Sequence, residues 1–275
     1  MGTPVRALDP GDSRPPPIRV RGGAQELTLS AWSFCWSAPT YGVCGDGRPP
    51  ESPPDIGDPA ELEVEFPVPG WRFTATAALT GVTCGREQSV ELPSIGPTTY
   101  RLLPIGPAGD YTITLSGRAK EGEAQGGDLA TTFRWHTPRA GPNEAPEATA
   151  SIIAGNPSEP RSFGVDLTAR ALGISTRTGT VDASVVVTSA NGASLVIELE
   201  PRPAGDCVPE GMLYLGAPEE VGKEAAALGP APFRYDVTLI LDGIPYQGTG
   251  TWPDGQRSEC SPCTTLQFDP PLPAL

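Results

Sequence analysis

One motif occurs twice in this chain and constrains its fold more than any other feature. Gly106-Pro107-Ala108-Gly109-Asp110-Tyr111 runs into Thr112-Ile113-Thr114-Leu115-Ser116-Gly117. Gly229-Pro230-Ala231-Pro232-Phe233-Arg234-Tyr235 runs into Asp236-Val237-Thr238-Leu239-Ile240-Leu241-Asp242-Gly243. Each copy has Gly-Pro-Ala, a short gap, a tyrosine, and an alternating strand that ends at a glycine turn. Tyr111 and Tyr235 lie 124 positions apart, about the length of one β-sandwich domain. The chain of 275 residues therefore reads as all-β, with two tandem antiparallel sandwich domains and minimal helix.

Composition supports this reading. The 34 prolines and 33 glycines interrupt alternating apolar runs, a pattern of many turns and little helix. Apolar residues make up only 38% of the chain, and 33 acidic against 19 basic residues give a formal charge of −14. Such a surface repels phosphate backbones and anionic lipid, so nucleic acid is excluded as a partner. No apolar run approaches the ~18 residues that a membrane span needs, and no secretory leader precedes the first strand. An exported protein would have its signal, or a membrane tether, upstream of this chain.

Organisation follows from the punctuation. Residues 1–17, ending in Arg14-Pro15-Pro16-Pro17, read as a disordered polyproline-like arm. Residues 18–137 form the first domain, 138–147 a stiff Pro-rich linker, and 148–275 the second domain. Alternation over 25–37 predicts one strand, with Leu27, Leu29, Ala31, Ser33 and Cys35 on one face and Thr28, Ser30, Trp32, Phe34 and Trp36 on the other. Residues 38–59 are a long aperiodic excursion, and loops of that length usually need pinning or carry function. Leu62, Val64 and Phe66, then Trp71 and Phe73, predict two inward-facing antiparallel strands joined by a Pro/Gly turn. Phe163, Val165 and Leu167 predict another inward face. Asn191-Gly192 and Asp242-Gly243 predict hairpins, and residues 219–228 the one helix-like piece. Thr131-Thr132-Phe133 and Thr264-Thr265-Leu266 look like equivalent closing strands.

Six cysteines in β domains imply disulfides and an oxidising compartment. Cys35, Cys44 and Cys84 fall in the first domain, and Cys207, Cys260 and Cys263 in the second. Three per domain is odd, so full pairing requires at least one bridge that crosses between domains. One such set is Cys35–Cys44, Cys260–Cys263 and Cys84–Cys207. In its rival, Cys207 pairs with Cys260 or Cys263. Cys35 and Cys44 are spaced to fasten the base of the excursion. Cys260-Ser261-Pro262-Cys263 precedes a strand rather than a helix, so it reads as a structural turn and not a redox centre.

No Gly-x-Ser-x-Gly, His-Glu-x-x-His or P-loop pattern occurs. His136, the single histidine, falls on an outward strand position, and no cofactor is called for. Asp46, Glu51, Asp55 and Asp58 in the excursion match no EF-hand spacing and read as turn residues rather than Ca²⁺ ligands. Trp32, Phe34 and Trp36 on one face read first as packing under the following loop, because aromatics mostly fill cores. The alternative is a recognition surface of Trp32, Trp36, Tyr41 and Asp46 beside the excursion.

The tyrosine turn, the alternating hairpins and the domain length resemble immunoglobulin-like or fibronectin type III-like sandwiches. The Pro/Ala/Gly/Arg-rich idiom resembles secreted or lipid-anchored envelope proteins of high-GC, actinobacterial-type bacteria. The resemblance implies an extracellular or cell-surface location and a non-catalytic binding, adhesion or spacer role, with an unidentified protein or a cell-wall glycan as partner. The alternative is a carbohydrate-binding accessory of a hydrolase that uses the aromatics near residues 38–59.

Overall fold

The computed structural model describes residues 14–38, 41–120, 126–176, 178–202, 208–253 and 263–275. It divides into two compact units, Met1–Glu144 and Ala145–Leu275. Both are antiparallel β structures of immunoglobulin-like strand order.

The first unit contains β1 (Ile18–Gly22), β2 (Gln25–Leu29), β3 (Ser33–Ala38), β4 (Tyr41–Gly45), β5 (Leu62–Glu65), β6 (Trp71–Leu79), β7 (Glu87–Glu91), β8 (Thr99–Leu102), β9 (Gly109–Ala119) and β10 (Gly126–Thr137). One sheet has the order β2-β1-β5-β8, and the facing sheet β4-β3-β10-β9-β6-β7. Lettered as an immunoglobulin-like sandwich, β1, β5 and β8 are A, B and E, while β7, β6, β9 and β10 are C′, C, F and G. The β2–β4 segment is an insertion between the first strand and the second. Strict alternation sends Leu62, Val64, Trp71, Phe73, Tyr111, Ile113, Leu115, Phe133 and Trp135 inward, each almost wholly buried.

Rings fill this core. Trp36 stacks on Trp71 at 5.8 Å, Phe66 lies 4.8 Å from Trp71, and Phe73 meets Tyr100 edge-on at 4.9 Å. The Tyr100 hydroxyl donates to the Trp71 carbonyl at 2.9 Å. Gly117 sits under Phe73, where a Cβ would come within 2.6 Å of the ring, so only glycine lets the strand pass.

Two expectations for this unit are corrected. Residues 25–37 are not one strand. The chain leaves the first sheet after Leu29 and enters the second at Ser33, and alternation survives the crossing because each half serves its own sheet. Nor do β5 and β6 form a hairpin: β5 pairs with β1 and β8, whereas β6 pairs with β7 and β9. The 66–70 turn carries the chain across the core, with Phe66 and Val68 buried inside it.

The expected tyrosine turn is present here. Tyr111 donates its hydroxyl to the Pro107 carbonyl at 2.8 Å, closing the chain between E and F. Residues 141–144 are held to this unit, not suspended from it. The Glu144 carboxylate accepts from the Ser89 amide at 2.6 Å, and the Glu144 amide donates to Gln88 Oε1 at 3.1 Å. These bonds occupy polar groups of edge strand β7 that would otherwise face solvent.

The second unit contains β11 (Glu147–Ser151), β12 (Ala154–Asn156), β13 (Glu159–Arg161), β14 (Val165–Arg170), β15 (Val181–Thr188), β16 (Ser194–Pro201), β17 (Leu213–Ala217), α1 (Glu219–Ala226), β18 (Phe233–Leu241), β19 (Ile244–Trp252) and β20 (Thr264–Asp269). The ladder β11-β14-β17-β16-β15-β18-β19-β20 closes on itself. Inside the ring the same lettering holds: β11, β14 and β17 are A, B and E, and β16, β15, β18 and β19 are C′, C, F and G. Glu200–Gly216 and Pro201–Leu215 pairing joins the two sheets on one side, and β20 bridges β19 to β11 on the other. The partner of β10 in the repeat is therefore β19, not the 264–266 strand, which is an eighth strand that pairs beside G, where the first unit places β3 from earlier in the chain. Asp242 (φ 51°) and Gly243 (φ 79°) both adopt positive φ in the β18–β19 hairpin, as a two-residue turn of that type requires. Phe163 is 78% exposed rather than inward, because Gly164 at φ 140° breaks the alternation just before β14.

Tyr235 occupies the third position of its F strand, as Tyr111 does. It is fully buried, and its hydroxyl faces the Ile153 backbone without a hydrogen bond of good geometry. The second copy of the motif thus keeps the tyrosine and loses the turn bond.

Candidate recognition groove

Polar, aromatic and cationic groups converge where the chain crosses between sheets at residues 30–32. The Trp32 amide donates to the Ala130 carbonyl at 3.0 Å, and Thr131 Oγ1 donates to the Ser30 carbonyl at 3.1 Å. These bonds pin the crossing to β10. The indole Nε1 of half-buried Trp32 donates to Thr132 Oγ1 at 3.1 Å, which fixes the ring's orientation.

The excursion returns over this point. Cys35 and Cys44 face each other as register partners on β3 and β4 and are bridged, so the hairpin that launches the excursion is covalently stapled. At Gly47 a Cβ would lie 2.2 Å from the Trp32 carbonyl oxygen; only glycine permits this backbone approach. Residues 54–57 then run alongside β10. The Arg134 amide donates to the Pro54 carbonyl at 2.8 Å, and the Ile56 amide to the Arg134 carbonyl at 3.0 Å. Ile56 is fully buried and anchors the return.

Between the crossing and the returning chain lies an open groove of about 350 Å³, lined among others by Leu29, Trp32, Arg48, Pro50, Pro54 and Thr132. Arg48 is exposed and makes no hydrogen bond or ion pair among the described residues. Among the described residues it is the single charged side chain of the lining. A second depression, of about 480 Å³, lies beside Gln25, Leu27 and Asp55.

The four residues of the expected recognition surface do not act together. Trp32 lines the groove. Trp36 is 2% exposed and stacked in the core, so it presents no ring to solvent; its position on the inward face of β3 decides this. Asp46 accepts from Ser33 Oγ at 3.3 Å and serves the hairpin. The Tyr41 side chain lies outside the described residues. Asp55 pairs with Arg134 at 3.2 Å and accepts from the Gly57 amide at 2.8 Å. Among the described residues, no three His, Cys, Asp or Glu side chains gather as a metal-binding cluster. His136 is exposed, with Nδ1 2.7 Å from Asp110 Oδ1 across the β9–β10 pair. Cys84 and Cys263 are also disulfide-bonded, while Cys207 and Cys260 lie outside the described residues.

Sequence reasoning missed Arg48, Pro50, Pro54 and the two threonines. The available signal was Thr131-Thr132: a strand that buries two consecutive hydroxyls needs cover on both faces, and here the crossing provides it.

No family model matches the chain, and no curated protein matches it. Among solved structures, the FN1–FN3 domains of chicken CNTN1 align over 84% of this chain and 87% of that one, at 10% identity and a TM-score of 0.20. The immunoglobulin-like assignment rests on strand order and not on that alignment.

Proposed function

We propose that this protein is a non-catalytic binding module of the cell envelope, secreted or surface-anchored, with its recognition surface on the first domain and the second domain as a spacer. The sandwich architecture is compatible with a binding or spacer role. The observation that carries the reading is the Trp32 groove: an oriented indole and a guanidinium unpaired among the described residues, held open on a disulfide-stapled insertion that the bare sandwich does not need. The oxidised state of Cys35, Cys44, Cys84 and Cys263 supports a location outside the reducing cytosol. Among the described residues, no helix is long and apolar enough to cross a membrane.

Co-sedimentation of the full chain with purified cell-wall sacculi tests this reading. The wild type pellets, and Trp32→Ala leaves most of the protein in the supernatant. Trp36→Ala is unsuitable as a probe of recognition because it would hollow the core. Equal pelleting of wild type and Trp32→Ala, or none by either, would leave only the spacer role.

A further inference from the structure

From the chemistry of the groove lining we infer its ligand class: a short saccharide that carries a carboxylate, of the uronic-acid type. The inference rests on the groove being a recognition site.

A pyranose ring has one face of C–H groups and an equator of hydroxyls. The lining offers a counterpart to each. Trp32 supplies a flat apolar surface whose rotation is stopped by its bond to Thr132, so little ordering is needed on binding. Pro50 and Pro54 add rigid apolar walls, and Thr28 and Ser30, both exposed, supply hydroxyls at the rim.

Charge selects among saccharides. The chain carries 33 acidic residues against 19 basic ones, yet among the described residues no carboxylate lines this groove, and the one charged side chain there is a cation without a partner. A guanidinium in that setting pairs with a planar carboxylate through two parallel N–H···O bonds. A lysine would serve a point charge equally well, whereas arginine favours the fork. The net charge of −14 also limits ligand length. Beyond a screening distance of about 8 Å at physiological salt, repulsion from the rest of the surface fades. A di- or trisaccharide with one engaged carboxylate escapes most of it, but a long polyanion lying across the domain does not. An acidic proline-rich peptide would also offer a carboxylate and flat apolar faces. The hydroxyl-lined rim and the single aromatic platform favour the sugar, since peptides in the polyproline conformation are usually gripped by several aromatic rings.

Isothermal titration of the full chain at physiological salt tests the inference. The probes are trigalacturonic acid, its methyl ester and an acidic proline-rich peptide. The acid binds, and the ester binds about tenfold more weakly through loss of the charge-assisted pair. Arg48→Gln lowers affinity for the acid about tenfold and leaves the ester unchanged, while Trp32→Ala loses both by about tenfold or more. Arg48 is exposed and unbonded, so its variant folds and the comparison stands whatever Trp32→Ala does to stability. Equal binding of acid and ester, or an Arg48→Gln variant that binds the acid like wild type, overturns the acidic class and leaves the groove reading intact. Binding of the peptide but neither sugar, with Trp32-dependent pelleting on sacculi retained, overturns the saccharide class alone. Sacculus binding that is absent or indifferent to Trp32 removes both.

Discussion

Tyr111 and Tyr235 hold the same position on the same strand of two related domains and do different work. Tyr111 ties its strand to the chain four residues upstream, and burial pushes its phenol above the ordinary range. Tyr235 fills the centre of its core, is pushed further in the same direction by burial, and makes no hydrogen bond of good geometry, its hydroxyl facing the Ile153 backbone. The difference extends to the domains themselves. The first is an open sandwich with an aromatic core and a disulfide-stapled insertion. The second is a closed ladder packed mainly with Val, Leu and Ile, with Phe233–Trp252 at 6.1 Å as its aromatic pair. The corner bond accompanies an E strand, β8, that ends its sheet and pairs with β5 alone among the named strands. Its counterpart β17 is paired on both sides, with β14 and β16.

The largest test of the contrast lies in the aromatic core. Phe73→Ala, at a fully buried ring in contact with Phe66, Trp71 and Tyr100, should cost about 3–5 kcal/mol. Calorimetry should show the transition of the first domain lowered; a loss below about 1 kcal/mol would mean that the rings are not its main support.

The staple comes next. Replacing Cys35 and Cys44 together by serine should cost about 2–3 kcal/mol, given the nine-residue separation, and should loosen the groove more than the sandwich. Hydrogen exchange at β3 and β4 reads this directly. Mapping of non-reduced peptides should also find the bridge from Cys84 to a second-domain cysteine that the odd count per domain led us to propose. Recovery of Cys84 as a free thiol would dispose of it.

The smallest effect is the most discriminating. Tyr111→Phe should cost about 1 kcal/mol through loss of a hydrogen bond, whereas Tyr235→Phe should cost nothing or stabilise slightly, because it removes an unsatisfied buried hydroxyl. The pH dependence follows the same logic. Each phenol has a raised value in the folded state, so the unfolded chain ionises first. Stability is intact below about pH 10 and falls as pH climbs through the ordinary phenol range towards the folded value. Tyr235→Phe should flatten that alkaline decline more than Tyr111→Phe, as followed by denaturant midpoint against pH. Equal slopes would make the two tyrosines equivalent after all.

Particular residues show how much was legible in the sequence. Alternation around Leu62 and Trp71 marks the inward faces, and Asn191-Gly192 and Asp242-Gly243 mark their hairpins, because side-chain period and positive-φ turns are local properties. Pairing is not local. Pro69-Gly70 serves a turn within a sheet or across the core equally well, so the sequence alone does not separate a β5–β6 hairpin from a crossing. The stretch through Trp32 kept its alternation while changing sheets, which concealed both the break and the groove it makes. Thr264-Thr265-Leu266 resembled Thr131-Thr132-Phe133 in composition, but no local signal distinguishes a G strand from an extra strand beyond it. In the candidate site, Trp32 was legible as an aromatic near a long excursion. Arg48 was not, since its lack of a partner depends on which distant carboxylates the fold brings near.

A closed circuit of strands has no frayed rim from which to unzip. In the second domain any strand that leaves must tear two seams at once, and the thinnest seams flank β20 and join β16 to β17. Pulling or proteolysis should therefore act in two stages, with first the peeling of β20 and then the spread of the remaining sheets about the Glu200–Gly216 contact. Between those stages the domain would briefly resemble the open form its neighbour occupies at rest.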